Sequence, residues 1–161
     1  MRSTAIGIVL MDDERPHVWG VTHDLNMQVA NRWAEIIRKG LTNVDGTAPR
    51  VVVGSETIKS VRVAQKVGEE LRQAGCRSIV MCYNVWNFPY LVWPLINTVG
   101  RDVPILSLAN NNGKYPGNVG LLATDGGLRQ AGVRTHRIVG EMDDPECQQK
   151  VFDWCRAAQA V

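Results

Sequence analysis

Aromatic rings and amides alternate in the segment YNVWNFP at 83–89, and this combination suits a ligand that has both an apolar face and hydroxyl groups. The indole of Trp86 can stack on the C–H face of a sugar ring, and the side-chain amides of Asn84 and Asn87 can bond its hydroxyl groups. A tryptophan here can also serve in a core or in a contact between subunits. The residue types leave both interpretations of Trp86 open.

A second candidate for ligand binding is Arg15, in the polar segment that follows the first apolar run of the chain. Its planar guanidinium presents a fork of donors that fits adjacent oxygen atoms, although a solvated loop arginine is the more common case. Asp12, Asp13 and His17 in the same segment raise the question of a metal site. Acidic residues that crowd in a loop are more often solvated, so the sequence predicts no metal ligands in this chain.

Missing motifs exclude several other kinds of site. Neither GxGxxG nor GxxxxGK[ST] follows the first predicted strand, and the glycines at 113, 117 and 120 have the wrong spacing for either phosphate loop. A response-regulator receiver needs an acceptor aspartate after its third strand and a lysine after its fifth, where this chain has Tyr83-Asn84 and Gly140-Glu141. No serine or cysteine lies in a recognisable nucleophile motif, so no catalytic residue is predicted.

Length and composition favour one domain over residues 1–161. At this length folding buries roughly 68–70% of the surface of the unfolded chain, which is enough for one core. The net charge of +2, with basic residues scattered along the chain, argues against nucleic acid as a partner. The four cysteines form no CxxC pair, and no apolar run reaches the ~18 residues of a membrane span. We therefore expect a reduced, cytoplasmic protein with no membrane partner.

Apolar runs and helix signals alternate along the chain. Five strands are predicted, at 4–10, 50–54, 79–82, 103–109 and 134–140. The predicted helices are one from Thr22 or Asp24 to about Lys39, one capped by Ser55, a short one after Pro89, one ending at Ala131, and one from Pro145. Three tryptophans are expected in the core, namely Trp33, Trp93 and Trp154.

Strands that alternate with helices require parallel crossovers, which predicts an α/β fold. The expected form is a doubly wound, five-stranded, mostly parallel sheet, a flavodoxin-like or Rossmann-like three-layer sandwich. Ligands bind such sheets beyond the carboxyl ends of the strands, where the loops at 11–20, 54–56, 83–89, 109–117 and 140–144 would meet. The loops with Arg15 and Trp86 follow the two strands that flank the switch point of the flavodoxin order.

Three segments resemble the N-terminal domain of the L-fucose isomerase/L-arabinose isomerase family. They are IGIVLMDDERPHVWGV at 6–21, CYNVWNFPYLVWP at 82–94 and VPILSLANNNGKYPGNVGLLA at 103–123. The segment RIVGEMDD at 137–144 resembles the end of that domain. In the first segment the chain has Asp13-Glu14-Arg15 where fucose isomerases tend to have Asp-Gly-Arg, so the arginine is kept and the residue before it differs.

The resemblance implies an aldose–ketose isomerase, which moves a proton between C1 and C2 of an open-chain sugar on a divalent metal, usually Mn²⁺. It implies further that the metal ligands and the proton-transfer acids belong to later domains, so residues 1–161 alone are expected to be inactive. In the homo-oligomers of the family, expected here as a trimer or hexamer, the first domain lends an arginine and a tryptophan to a neighbouring subunit's active site. By position these residues are Arg15 and Trp86.

The expected substrate is L-fucose, arabinose or a related aldose, because these sugars share the hydroxyl pattern that the aromatic loop could recognise. Arg15, Trp86, Asn84 and Asn87 are the residues expected to contact it. The alternative is a non-catalytic sugar-binding or oligomerisation module with the same fold.

Overall fold

Five parallel strands form the centre of the protein in a computed structural model, which describes residues 5–159. Each strand overlaps one of the predicted strands, whose β-branched residues suit a sheet covered on both faces. The strands are β1 (Ala5–Met11), β2 (Arg50–Val53), β3 (Cys76–Tyr83), β4 (Ile105–Ala109) and β5 (Thr135–Val139). Their spatial order is β2-β1-β3-β4-β5 and every pairing is parallel, which confirms the doubly wound α/β fold in the flavodoxin order.

Helices cover both faces of this sheet and complete a three-layer arrangement. They are α1 (Pro16–Gly40), α2 (Val61–Gln73), α3 (Val92–Val99), α4 (Gly117–Gln130) and α5 (Pro145–Gln159), with a 3-10 helix at Pro89–Leu91 just before α3. Helices α1 and α5 pack into the apolar layer on one face, and α2, α3 and α4 pack into the layer on the other. Because all five strands are parallel, their carboxyl ends share one edge of the sheet, as predicted.

The predicted core tryptophans differ in burial. Trp33 is 4% exposed and lies on the buried face of α1, where Ala30 and Ile37 precede and follow it at helical spacing. Trp93 and Trp154 are partly buried and pack against the two apolar layers from their rims. The interior position is thus confirmed fully for Trp33 and in part for the other two.

Helix α1 begins earlier than the sequence analysis predicts. The segment expected as a loop up to Gly20 is helical from Pro16, so neither Thr22 nor Asp24 is its cap. Proline has a fixed φ that suits the first position of a helix, and it keeps the preceding residue extended. Arg15 accordingly has φ −70° and ψ 121°, and its carbonyl accepts hydrogen bonds from the first turn.

Helix α2 begins later than predicted. Its cap is Ser60, whose hydroxyl accepts a hydrogen bond from the Val63 N–H, and the predicted cap Ser55 lies outside it. The segment between the two serines continues along β1 instead, because the Ile58 N–H donates to the Leu10 carbonyl at 2.8 Å. That pairing buries Ile58 completely. Ile58 therefore belongs with the sheet, although its spacing from the apolar residues of α2 is helical.

Strand β3 is longer than the apolar run at 79–82 that predicts it. Tyr83, assigned by the sequence to the aromatic loop, is the last residue of β3 and is 1% exposed. Its ring lies in the apolar layer on the side of α2, α3 and α4. Tyr83 is therefore a core residue, and the loop begins at Asn84.

The four cysteines are unpaired, as the sequence predicts. Burial raises the pKa of the Cys82 and Cys155 thiols to about 12, so both stay protonated and act as small apolar residues. In the described range from 5 to 159, no helix has the length and the apolar character needed to cross a bilayer.

Candidate functional site

The loops after β1 and β3 leave the sheet side by side. Met11 and Tyr83, the last residues of these strands, are direct partners in the parallel pairing. In the order β2-β1-β3-β4-β5 the winding reverses between β1 and β3, and doubly wound sheets bind ligands at such a switch point. The two predicted loops therefore meet at the edge where a ligand site is expected.

Arg15 is held in an ion pair with Asp13. Its Nε lies 2.9 and 3.1 Å from the two carboxylate oxygens of Asp13, and its Nη2 also donates to Oδ2. The Asp13 side chain is 1% exposed and that of Arg15 is 50% exposed. The guanidinium holds the pKa of Asp13 below its usual range, so this carboxyl stays ionised near neutral pH. Among the bonds formed within residues 5–159, those of the guanidinium all go to Asp13, which leaves Nη1 for a ligand.

Asp12 fixes the backbone that carries this ion pair. Its Oδ1 accepts a hydrogen bond from the Asp13 backbone N–H at 2.8 Å and lies 2.9 Å from the Thr22 hydroxyl on α1. The Asp12 N–H donates to the Ile58 carbonyl at 3.0 Å. Asp12 and Asp13 are both completely buried, so the expectation that they are solvated loop acids is wrong. They form the scaffold beneath Arg15.

Trp86, Phe88 and Tyr90 form a row of aromatic rings beside Arg15. The centroids of Trp86 and Phe88 are 6.2 Å apart at an edge-to-face angle of 77°, and those of Phe88 and Tyr90 are 6.3 Å apart. The Arg15 Cζ lies 5.8 Å from the centre of the Phe88 ring, within cation–π range. The Tyr90 hydroxyl donates to the Glu14 carboxylate and links the two loops a second time. Phe88 thus contacts both Arg15 and Trp86.

Asn84 is engaged inside the protein. It is 7% exposed, and its Nδ2 donates to the Asn26 Oδ1 on α1 at 2.9 Å. In turn the Asn110 Nδ2 donates to the Asn84 Oδ1 at 2.6 Å and to its backbone oxygen at 3.0 Å. These bonds tie α1 to the loops after β3 and β4. The amide predicted to bind a ligand therefore holds three elements together.

Asn87 is also engaged inside the protein. Its side chain is completely buried, and its Nδ2 donates to the Thr124 hydroxyl on α4 at 2.9 Å. Gly120 approaches so closely that a β-carbon there would lie 2.5 Å from the Asn87 Oδ1. The structure thus brings Arg15 and Trp86 together through Phe88, and it puts both asparagines in interior hydrogen bonds.

Replacing Asn87 with alanine is expected to lower the free energy of unfolding by about 1–3 kcal/mol, because the buried Thr124 hydroxyl loses its partner. Denaturant unfolding of the variant measures this change. The matched control is Asn31→Ala, at an exposed position of α1, which should stay within about 0.5 kcal/mol of the parent protein. A variant of Asn87 with unchanged stability and weakened sugar binding would instead support a direct contact.

The residues at this edge do not fit a metal ion. Both carboxylate oxygens of Asp13 bind Arg15, and the Asp12 Oδ1 binds the neighbouring backbone and Thr22. His17 is exposed in the first turn of α1. Within the part of the chain that the structure describes, no three His, Cys, Asp or Glu side chains form a group that could hold an ion.

Sequence reasoning did not identify Asp13 and Phe88 as parts of the site. A signal for Asp13 exists, because an aspartate can accept the backbone N–H two residues further along the chain, and the Arg15 N–H just before the helix start at Pro16 donates to the Asp13 Oδ1 at 2.9 Å. For Phe88 the signal is the alternation of aromatic residues at 86, 88 and 90. An extended chain turns residues 86 and 88 to the same side, whereas Tyr90 lies in the 3-10 helix Pro89–Leu91.

A cleft of about 230 Å³ opens at the same edge, between α1 and the loops that follow β3, β4 and β5. Its lining includes Trp33, Asn84 and Glu141. Arg15 and Trp86 do not line it. Arg15 is exposed and Trp86 is partly buried, and both lie at this edge of the sheet outside the cleft.

Comparisons with known proteins give a family and a fold. Residues 3–161 match the profile of a family described as L-fucose isomerase, first N-terminal domain. Among solved structures, the metal-soaked Flv1 flavodiiron core from Synechocystis sp. PCC6803 is similar, with a TM-score of 0.50 and 11% identity. That match covers 99% of this chain, which spans 37% of the Flv1 chain, and at this identity it shows the fold alone. No curated protein matches the sequence significantly.

Proposed function

The chain belongs to the family of L-fucose isomerase first N-terminal domains, and from this premise we propose that it is the substrate-covering and oligomerisation domain of an aldose–ketose isomerase. The enzyme interconverts an aldose, L-fucose or a related sugar, and its ketose. Arg15 and Trp86 of one subunit reach the active site of a neighbouring subunit and cover the sugar there. The assembly is a cytoplasmic homo-oligomer, a trimer or a hexamer.

The observation that carries this proposal is the meeting of Arg15 and Trp86 at Phe88. Residues 71 positions apart in the chain come together because β1 and β3 are neighbours in the sheet. Half of the Arg15 side chain is exposed while its ion-pair partner is buried, so the guanidinium is both oriented and accessible. An oriented donor beside an indole suits a sugar, which offers hydroxyl oxygens and a C–H face.

The interaction energies of these two residues suit positioning of the sugar and not its chemistry. An aromatic contact contributes about 0.5–1.5 kcal/mol, and a hydrogen bond from a charged group about 1.5–3 kcal/mol. Enzymes typically lower the barrier by at least ~8 kcal/mol. Arg15 and Trp86 together would therefore orient a sugar whose reaction is carried out by other groups.

The groups that move the proton, and the ligands of Mn²⁺ or another divalent metal, are proposed to lie in other domains of the enzyme. The poor fit of Asp12, Asp13 and His17 to a metal ion supports this assignment. No step of the reaction is assigned to a residue of this chain. The chain alone, given Mn²⁺ and L-fucose, is accordingly expected to form no ketose at an enzymatic rate.

The proposed function is tested with Trp86→Ala in the full-length enzyme. Loss of the aromatic contact is expected to lower kcat/KM for L-fucose about 2- to 12-fold. Trp154→Ala on α5 is the matched control, because that tryptophan is partly buried and packs against the core instead of Arg15 and Phe88. It should lower the melting temperature and leave kcat/KM unchanged.

Steady-state kinetics and thermal unfolding of both variants separate the alternatives. If Trp86→Ala lowers stability and leaves the kinetics with L-fucose and L-arabinose unchanged, Trp86 only packs and the proposal is wrong. The same result would favour a non-catalytic oligomerisation module with this fold.

A further inference from the structure

We propose that Asp13 and Phe88 are positioning residues, which hold the Arg15 guanidinium from two sides and set its place relative to Trp86. The proposal rests on the proposed function, because it assigns to Asp13 and Phe88 an effect that passes through Arg15. Neither residue contacts the sugar in this role. Each acts by restricting the orientations of a long and otherwise mobile side chain.

Asp13 restricts Arg15 along its edge. Two nitrogen atoms of the guanidinium, Nε and Nη2, bond the carboxylate, and such paired contacts fix the plane of an arginine more strictly than a single bond. The carboxylate itself cannot swing, because Asp13 is completely buried and its Oδ1 also accepts the Arg15 backbone N–H at 2.9 Å. The edge of the guanidinium that bears Nη1 is left for the ligand.

Phe88 restricts Arg15 from the face. The Arg15 Cζ is 5.8 Å from the centre of the ring, and the ring is partly buried against the apolar layer that contains Leu91 and Tyr83. The same ring meets Trp86 edge to face at 6.2 Å. One anchored side chain thus sets the positions of both Arg15 and Trp86, since it is the residue that they share.

A double-mutant cycle in the full-length enzyme tests the proposal, with kcat and KM measured for L-fucose. The changes are Asp13→Asn, which removes the charge, and Phe88→Leu, which removes the aromatic face, each in the parent protein and in the Arg15→Ala variant. If both residues act through Arg15, Asp13→Asn is expected to lower kcat/KM about 10-fold in the parent and Phe88→Leu about 3- to 10-fold. In the Arg15→Ala variant, Asp13→Asn should lower kcat/KM by a further factor of less than about two.

The cycle separates the effects more cleanly for Asp13, because its side-chain carboxylate bonds Arg15 alone among residues 5–159. Phe88 also contacts Trp86, so Phe88→Leu should keep part of its effect in the Arg15→Ala variant, and that part should vanish when Trp86→Ala is added. Phe88→Tyr should recover most of the loss caused by leucine, because it restores the ring. Phe152→Leu, at a partly buried phenylalanine against the other apolar layer, is the matched control and should leave the kinetics unchanged.

Two failures are distinguishable. In the first case, Arg15→Ala and Trp86→Ala lower kcat/KM, but Asp13→Asn lowers kcat/KM by the same factor with and without Arg15. Asp13 then acts on stability, so the positioning proposal is wrong while the proposed function stands. If Arg15→Ala and Trp86→Ala have no kinetic effect, the proposed function is wrong and the positioning proposal falls with it. Melting temperatures of all variants identify any that fail to fold, and Asp13→Asn then decides the question in place of Phe88→Leu.

Discussion

Replacing Arg15 with alanine is expected to lower kcat/KM of the full-length enzyme for L-fucose about 12- to 160-fold. The estimate follows from the loss of one hydrogen bond between a charged donor and a sugar oxygen, about 1.5–3 kcal/mol. The effect should exceed that of Trp86→Ala, because an aromatic contact is weaker. Steady-state kinetics across a range of L-fucose concentrations measure it.

The matched control for Arg15 is Arg72→Ala. Arg72 also forms an ion pair with two guanidinium nitrogens, here with Glu69, but it lies near the end of α2, which leads into the opposite end of β3. Its loss should leave kcat/KM unchanged, and exposed pairs of this kind contribute at most about 1 kcal/mol to stability. Equal kinetics for the Arg15 and Arg72 variants would remove Arg15 from the site.

Replacing Gly117 with alanine is expected to destabilise the protein by at least about 3 kcal/mol, the upper part of the range for overpacking. A β-carbon at Gly117 would lie 2.2 Å from the Tyr83 carbonyl oxygen and 2.7 Å from the Asn110 Oδ1. Both are held in place, since Tyr83 ends β3 and Asn110 bonds Asn84, so the start of α4 would have to move away from the sheet. Denaturant unfolding measures the change.

Gly126→Ala on the same helix is the control for Gly117. Apart from its two chain neighbours and the backbone of its own helix, no atom lies within 4 Å of a β-carbon at Gly126, and the residue is exposed. Alanine there should stabilise the protein by up to about 1 kcal/mol, because glycine is the poorer helix former. Similar stabilities of the two variants would show that the close approach of α4 to β3 is not needed for folding.

The fold was predictable from local pattern because each strand carries its own apolar run and each run is followed by a helical one. Parallel pairing then leaves few topologies, and the order with β1 beside β3 puts Arg15 and Trp86 at one edge. The start of α1 at Pro16 was also within reach of the sequence, since proline at a first helical position is a known signal. The polar residues at 12–15, just before Pro16, favoured a loop and concealed it.

The interior hydrogen bonds of the two asparagines could not be read from the sequence. The residue types are the same whether an amide next to an aromatic ring faces a ligand or the interior. Asn84 meets Asn26 and Asn87 meets Thr124, partners 58 and 37 positions away, and only the packing of α1 and α4 on the sheet brings them together. The start of α2 was predicted too early for a similar reason, because the pairing of Ile58 with β1 depends on a strand that is distant in the sequence.

The most direct test of the account is complementation between two inactive subunits. One variant carries Arg15→Ala and Trp86→Ala. The other variant carries an intact first domain and substitutions of the metal-ligating residues in its later domains. If the first domain serves a neighbouring active site, oligomers that contain both variants form intact sites. When subunits mix at random in a closed ring, roughly a quarter of the sites should be intact, and the activity on L-fucose should reach roughly a quarter of that of the unsubstituted enzyme. If Arg15 and Trp86 serve their own subunit, no site is intact, and mixed oligomers no more active than the two variants alone would contradict the account.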